Sequence, residues 1–396
     1  MAPGDLQTEY AGRRGRLFGL ALRTSLMTVL SVGLYRFWMK TRLRRFYWSA
    51  IRPGGHPLEY VGLPMEKLLG FLIAVVFLAF YIGIVNLVLM FLSFSLLSTN
   101  LWAYALSFLG ILPILFYARY RARRYILART RWRGVRFGLE PGAWGYAWRA
   151  MAHWAVTILS LGLLWPRMTF WLEKYRTDRT HFGSMPFVQG GNWKMLYRPF
   201  LPLMAAPFLG GAGLVVADQG SPAPGIAIAG LALLLALYGL VHYRVHSLRL
   251  LTGTKTVGGL GLRARPRPWR VLRIYLFGYG LAGLSLLALG LVLGVAISVL
   301  LAGMPGIDLS AEDPFATAAA LPLWASVILG AVAYFTVFIM WSVLRQVFVT
   351  LPLMRHYAET LEITGAHRLT EVEQRERDEF TEAEGFAEAL DVGAAI

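Results

Sequence analysis

The chain has 396 residues, 57% of them hydrophobic and only 15% charged, with a mean hydropathy of +0.53. A soluble domain carries about 25% charged residues, so the composition excludes an ordinary soluble enzyme. The net charge of +17 fits a nucleic-acid binder on its own, but three blocks (68–118, 199–243 and 274–344) hold no Lys or Arg at all, and a nucleic-acid-binding protein has no use for them. Each block is long enough for two apolar helices of about 20 residues, the length a bilayer core requires. Cysteine is absent, which excludes disulfides, thiolate metal sites and Cys nucleophiles.

In chain order, residues 1–16 are polar and basic (Arg13, Arg14, Arg16), and no small-residue cleavage motif follows a short apolar run. This predicts direct membrane insertion with the N-terminus inside. Two apolar segments, 17–35 and 146–165, are flanked by cations on both sides and contain Arg23 in the first and Arg149 and His153 in the second. A charge at the centre of a spanning helix costs about 2.5–3.5 kcal/mol, which predicts interfacial or re-entrant helices there. The cation-free blocks break at Ser98-Thr99-Asn100, at 217–225 and at 303–314, and Asp218, Asp308, Glu312 and Asp313 sit in those breaks. With every Lys and Arg outside the blocks, the breaks face outward and the basic connectors face the cytoplasm.

The expected fold is therefore all-α: a polytopic integral membrane helical bundle with six spans in three hairpins plus two interfacial or re-entrant helices. The alternative is eight spans, with Arg23 sheltered by neighbouring helices. The expected organisation is a cytoplasmic segment 1–16, a repeat-containing transmembrane domain 17–368 and an acidic cytoplasmic tail 369–396. From Glu359 onward eleven acids face three arginines, a net charge of −8 that leaves +25 on the residues before it.

A shift of 129 residues lays "TVLSVGLYRFWMKTRLRRF" over "TILSLGLLWPRMTFWLEKY" without a gap. Thr28, Leu30, Ser31, Gly33 and Leu34 then fall on Thr157, Leu159, Ser160, Gly162 and Leu163. Farther on, Gly54, Pro57 and Gly62 meet Gly183, Pro186 and Gly191. Weaker echoes lie in 118–137 and in "RHYAETLEITG". The unit reads as an apolar helix end, a cation-aromatic segment, a Gly turn and an entry into the next hairpin. Tyr and Trp rings favour the headgroup zone, and Arg stems lie along apolar surface while the guanidinium reaches phosphate. Arg42, Arg44, Arg45, Arg121, Arg123 and Arg124 are the candidate contacts to anionic lipid or a partner, each worth about 1 kcal/mol at an anionic leaflet.

These residues resemble a known family. "GLYRFWMKTRLRRFYW" followed by "GGHPLEYVG" and "MEKLLGF" is similar to the YjgN-like family of bacterial inner-membrane proteins, through Gly33, Tyr35, Trp38, Arg42, Arg44, Arg45, Glu59, Tyr60, Gly62 and Gly70. The similarity is strongest in 28–71 and extends to about residue 365, although 241–273 keeps its cations and loses most of the aromatic-glycine framework. The resemblance implies a polytopic inner-membrane protein with no characterised biochemical role and supplies no catalytic residue.

Little chemistry is visible in the remaining residues. His242 and His246 share a helix face, but no third ligand for zinc lies nearby in sequence. "TGTKTVGGLG" (252–261) lacks the ending of a phosphate loop. No Asp or Glu lies inside an expected span, which weakens proton-coupled transport. Asn86, Thr157 and Ser160 are the candidate lining of a polar path. No nucleophile, base and orienting group assemble, so the expectation is a protein that is not an enzyme and takes no cofactor or metal. The expected role is a membrane organiser or adaptor in the bacterial inner membrane, multi-pass with both termini cytoplasmic. Its expected partners are anionic membrane lipids, a second copy or another membrane protein, and not nucleic acid. The alternative is a transporter or channel.

Overall fold

The computed structural model describes residues 5–97, 100–302 and 322–375. In chain order the elements are β1 (Leu6–Tyr10), α1 (Arg14–Leu30), α2 (Arg36–Ala50), β2 (Ile51–Pro53), β3 (Leu58–Tyr60), α3 (Pro64–Leu97), α4 (Asn100–Ala128), β4 (Thr130–Trp132) and β5 (Val135–Leu139). They continue with α5 (Ala143–Leu159), α6 (Trp165–Thr177), β6 (Thr180–Phe182), β7 (Met185–Gln189), α7 (Tyr197–Asp218), α8 (Pro222–Gly253), β8 (Lys255–Val257) and β9 (Leu260–Ala264). The last are α9 (Pro268–Ala302), α10 (Leu323–Arg345), a π turn (Gln346–Thr350), α11 (Leu351–Glu359) and β10 (Leu361–Thr364), followed by a 3-10 turn (Ala366–Glu371).

Two compact units divide the chain: Gly12–Leu43 with Arg273–Met354, and Arg44–Leu272 with the described residues before Gly12 and from Arg355 on. All ten strands belong to the latter and form one antiparallel sheet in the order β2-β1-β10-β9-β8-β7-β6-β5-β4-β3. Its two edge strands, β2 and β3, are consecutive in the chain across Gly54–Pro57, so the sheet is a nearly closed barrel. The β4–β5 and β8–β9 loops are two residues long, at Arg133-Gly134 and Gly258-Gly259, with both residues at positive φ. That backbone matches the strand twist and favours glycine. Alternation along these short strands sends Trp132, Phe182, Met185, Val257, Leu260 and Ile363 into one apolar cluster, joined by Leu6 from β1 and Leu58 from β3.

The expected all-α bundle is thus corrected: the Gly segments after the helices are β-hairpins, too short and too cation-rich to show a strand period in the sequence. The number of spans is corrected as well. Four helices among the described residues, not six or eight, are long and apolar enough to cross a membrane: Trp193–Asp218, Pro222–Gly253, Pro268–Val299 and Leu323–Glu359. They occupy the second and third cation-free blocks. In the first block, the apolar helical stretch found among the described residues is the shorter Gly83–Leu92. The expected turn residues Ser98 and Thr99, and Asp308, Glu312 and Asp313, lie outside the described residues.

The α7–α8 pair is held by small residues. A Cβ at Gly213 would sit 2.9 Å from the carbonyl oxygen of Gly225, and one at Gly239 would sit 2.8 Å from the nitrogen of Leu203, so the two backbones are nearly in contact. Large apolar side chains on the spans face outward, among them Phe208, Leu214, Leu234, Leu287 and Leu291. Segments 17–35 and 146–165 are not among the four long apolar helices. Helices α1 and α5 each turn back into a second helix through bonds of the same kind: Gly33 N donates to the Thr28 carbonyl at 2.7 Å, and Gly162 N to the Thr157 carbonyl at 2.8 Å. At both tips a branched residue adopts positive φ, Val32 (52°) and Leu161 (52°), and each is 94% exposed.

Candidate functional site

The cations gather where helices end and strands begin, and tyrosine rings hold many of them. Tyr60, the last residue of β3, lies with its ring 5.2 Å from the guanidinium carbon of Arg44 and 5.4 Å from Lys67 Nζ. Arg44 also donates to the Tyr60 hydroxyl at 3.2 Å and is only 1% exposed. Gly62 leaves room for this ring: a Cβ there would lie 2.5 Å from the Tyr60 hydroxyl. Next to it, Glu66 accepts from the Tyr125 hydroxyl at 2.9 Å and pairs with Arg129 at 2.9 Å. Arg129 in turn lies over the Tyr125 ring. Contacts between a cation and a ring face contribute about 0.5–2 kcal/mol each, more when water is excluded.

A second cluster surrounds Glu173 on α6. Its carboxylate pairs with Arg176 at 2.6 Å and Lys255 at 2.7 Å, and with Arg123 at 3.9 Å. Burial alone would raise the Glu173 carboxyl, but Arg176, Lys255 and Arg123 together outweigh it and hold the carboxyl well below the usual carboxylate range.

Beside these lies a cavity of about 530 Å³. Its lining includes Glu66, Arg124 and Arg129 from the α3 and α4 ends, Arg131 and Arg136 from the β4–β5 hairpin, Glu140, His181 from β6, and Gln374 and Arg375 from the chain beyond the 3-10 turn. Among the described residues of this lining there are five arginines and two glutamates. Gly138 opposes His181 in the β5–β6 register, and a Cβ at Gly138 would run into the His181 ring. The chain beyond the 3-10 turn is anchored at this edge of the sheet, where Arg136 N donates to Gln374 Oε1 at 3.1 Å and Ser184 N to the Glu373 carbonyl at 2.8 Å.

Over residues 5–296 the chain matches a family of bacterial proteins of unknown function, DUF898, which is the YjgN-like family. The chain belongs to the YjgN-like family. No curated protein and no solved structure matches it. With its four apolar helices, this YjgN-like chain is a bacterial membrane protein.

The six arginines named from the sequence meet different surroundings. Arg42 is exposed and lies over the Tyr35 ring at 5.6 Å. Arg45 is exposed and donates to the Gly62 carbonyl at 2.9 Å. Arg121 is half-buried, donates to the Tyr117 hydroxyl at 3.2 Å and lies over that ring. Arg44 is enclosed against Tyr60, Arg123 joins the Glu173 cluster, and Arg124 lines the cavity. Thr157 is buried and donates to the His153 carbonyl at 2.7 Å, while Ser160 donates to the Thr157 carbonyl at 2.9 Å and accepts from Leu164 N at 3.1 Å. The Asn86 side chain lies outside the described residues. His242 and His246 stack on each other with centroids 4.2 Å apart, and the described residues contain no group of three or more His, Asp or Glu that would hold a metal ion.

Sequence reasoning missed Tyr60, Glu66, Arg129, Arg131, Arg136 and Glu173 as site residues of this YjgN-like chain. A signal for part of the set was present. In "TRWRGVRF" the Arg-Gly pair is a two-residue hairpin turn, and folding about it places Arg131 opposite Arg136.

Proposed function

We propose that this YjgN-like protein is a multi-pass inner-membrane organiser or adaptor, with both termini cytoplasmic, that holds anionic lipid headgroups against its cation-rich sheet unit. The observation that carries the reading is the attachment of spans to strands. Helix α8 ends at Gly253 and β8 starts at Lys255; β9 ends at Ala264 and α9 starts at Pro268; α11 ends at Glu359 and β10 starts at Leu361. A strand two to four residues from a spanning helix lies at headgroup level, where Lys and Arg meet phosphate. The first and last strands, β1 and β10, pair with each other, which supports termini on the same side of the bilayer. The exposed Leu30, Val32, Leu159 and Leu161 at the two helical tips are suited to acyl chains rather than water.

The reading is of a binding protein rather than an enzyme, with anionic lipids, and through them a second copy or another membrane protein, as partners. Nucleic acid is not among them. For the transport alternative, Thr157 and Ser160 offer little support, since both hydroxyls bond their own backbone. The test replaces Arg42, Arg45 and Arg121 with Gln and measures co-purified lipid by mass spectrometry. With each charge worth about 1 kcal/mol at an anionic surface, the triple variant is expected to lose most of its phosphatidylglycerol and cardiolipin. Retention equal to wild type overturns the reading.

A further inference from the structure

Helices α5 and α6 form a hairpin whose turn is closed without help from water. All six backbone N–H groups from Ser160 to Trp165 are bonded within it: Ser160 N to the Val156 carbonyl, Leu161 N to Ile158, Gly162 N to Thr157, Leu163 N to Ser160 and Trp165 N to Gly162, with Leu164 N on the Ser160 hydroxyl. The same six bonds recur from Ser31 to Arg36 around the exposed Val32. A helix start in water can leave such donors to solvent, whereas in hydrocarbon each must find a partner in the protein.

The side chains and the level of the hairpin agree with the backbone. The exposed face of α5 carries Trp144, Trp148, Ala152, Ala155 and Leu159, an apolar stripe at helical spacing that runs to the exposed Leu161. Two hydrogen bonds fix the level of α6. Tyr197, the first residue of α7, donates to the Leu163 carbonyl at 3.0 Å, and Tyr243 of α8 donates to Thr169 Oγ1 at 2.9 Å. These tyrosines stand where the cation-free block 199–243 begins and ends, so α6 lies where α7 and α8 pass from lipid to headgroups. Arg149 lies about 15 Å along α5 from Leu159 at 1.5 Å per residue, half of a hydrocarbon core of about 30 Å. Its guanidinium turns back from the tip and donates to the Gly145 carbonyl at 3.0 Å. With Arg149 at the surface the tip reaches the midplane at most, and Arg167, nearer the tip, keeps it shallower still.

We infer that the α5–α6 hairpin enters only the leaflet on the sheet side, with Leu159, Leu161 and Leu163 among its acyl chains. Lipid is the occupant because the turn asks nothing of water and sits at the level where the spans end. Like the headgroup contact proposed above, this insertion rests on a sheet at the bilayer surface, but it uses apolar side chains in place of arginines and needs no anionic lipid.

The chain has no cysteine, so one nitroxide can be attached at a time to the full chain. Leu161→Cys and Leu159→Cys are compared, in nanodiscs of phosphatidylcholine alone, with Glu59→Cys at an exposed position of β3 and Leu234→Cys on the outward face of α8. Collisions with dissolved oxygen, which concentrates in hydrocarbon, and with a water-soluble nickel chelate are read for each label. Both tip labels are expected to lose most of the nickel collisions seen at Glu59 and to approach the oxygen collisions seen at Leu234. Nickel access at the tip equal to that at Glu59 places it in water and overturns the insertion. Shielding from both reagents overturns it too, by showing the tip covered by a second copy or another protein. The headgroup reading fails separately. Retention of phosphatidylglycerol by the Arg42, Arg45 and Arg121 variant leaves the label depth in phosphatidylcholine unchanged, and a tip in water leaves the lipid-retention result unchanged.

Discussion

Glu173 shows how one carboxylate keeps several half-buried cations compatible with folding. Its side chain is 15% exposed and meets Arg176, Lys255 and Arg123. Removing one partner of a buried ion cluster leaves charge without compensation, at a cost of about 3–5 kcal/mol. Glu173→Gln is therefore expected to lower the Tm in detergent sharply at pH 7, whereas Glu140→Gln, at an exposed pair, is expected to leave it nearly unchanged. The pH dependence follows from the depressed carboxyl. A group whose folded pKa lies below its unfolded value contributes stability above the unfolded pKa, about 4.3 for Glu, and loses it as pH falls through the folded value. The gap between wild type and Glu173→Gln is thus expected to persist from neutral pH down to about 4.3 and to narrow only below it. A gap that closes between pH 7 and 5 would show that Glu173 is not held ionised by its neighbours.

At the scale of elements, the α7–α8 hairpin depends on the absence of side chains. A Cβ at Gly225 would lie 2.7 Å from the Gly213 carbonyl oxygen, so Gly225→Leu forces the helices apart. Overpacking of this sort costs about 1–3 kcal/mol, expected as a lower midpoint in detergent unfolding; Gly230→Leu, where nothing lies within 4 Å, is the control and is expected to behave as wild type. The spanning helices were legible because a long run of apolar residues without a cation has few other uses. The turns at Gly33 and Gly162 carry matching backbone bonds, but in the sequence these residues read as part of an apolar helix end, with the Gly turn expected farther on. The strands were not legible either. β4, β6 and β8 have three residues each, shorter than any window in which a two-residue period stands out. Their Arg, His and Lys residues read as continuations of basic helix ends. The burial of Arg44 was equally hidden, since it depends on Tyr60, sixteen residues away along the chain.

At the scale of the whole molecule, the sheet ties together distant parts of the chain. Ile363 on β10 packs in the same apolar cluster as Trp132, Phe182 and Val257, and it is the register partner of Leu6 on β1. Ile363→Asp places a carboxylate in that cluster and is expected to release both strands, read as faster amide exchange at Leu6 and Gln7 with the α7–α8 amides unaffected. Exchange that rises equally everywhere would mean that the sheet and the helices unfold as one. The same strand pairing bears on biogenesis. Strand β1 precedes the other strands in the chain but sits between β2 and β10, so one of its edges stays bare until β10, made after the four long apolar helices, arrives. Closure of the sheet therefore waits for β10, and a chain halted before that strand leaves β1 with one edge unpaired.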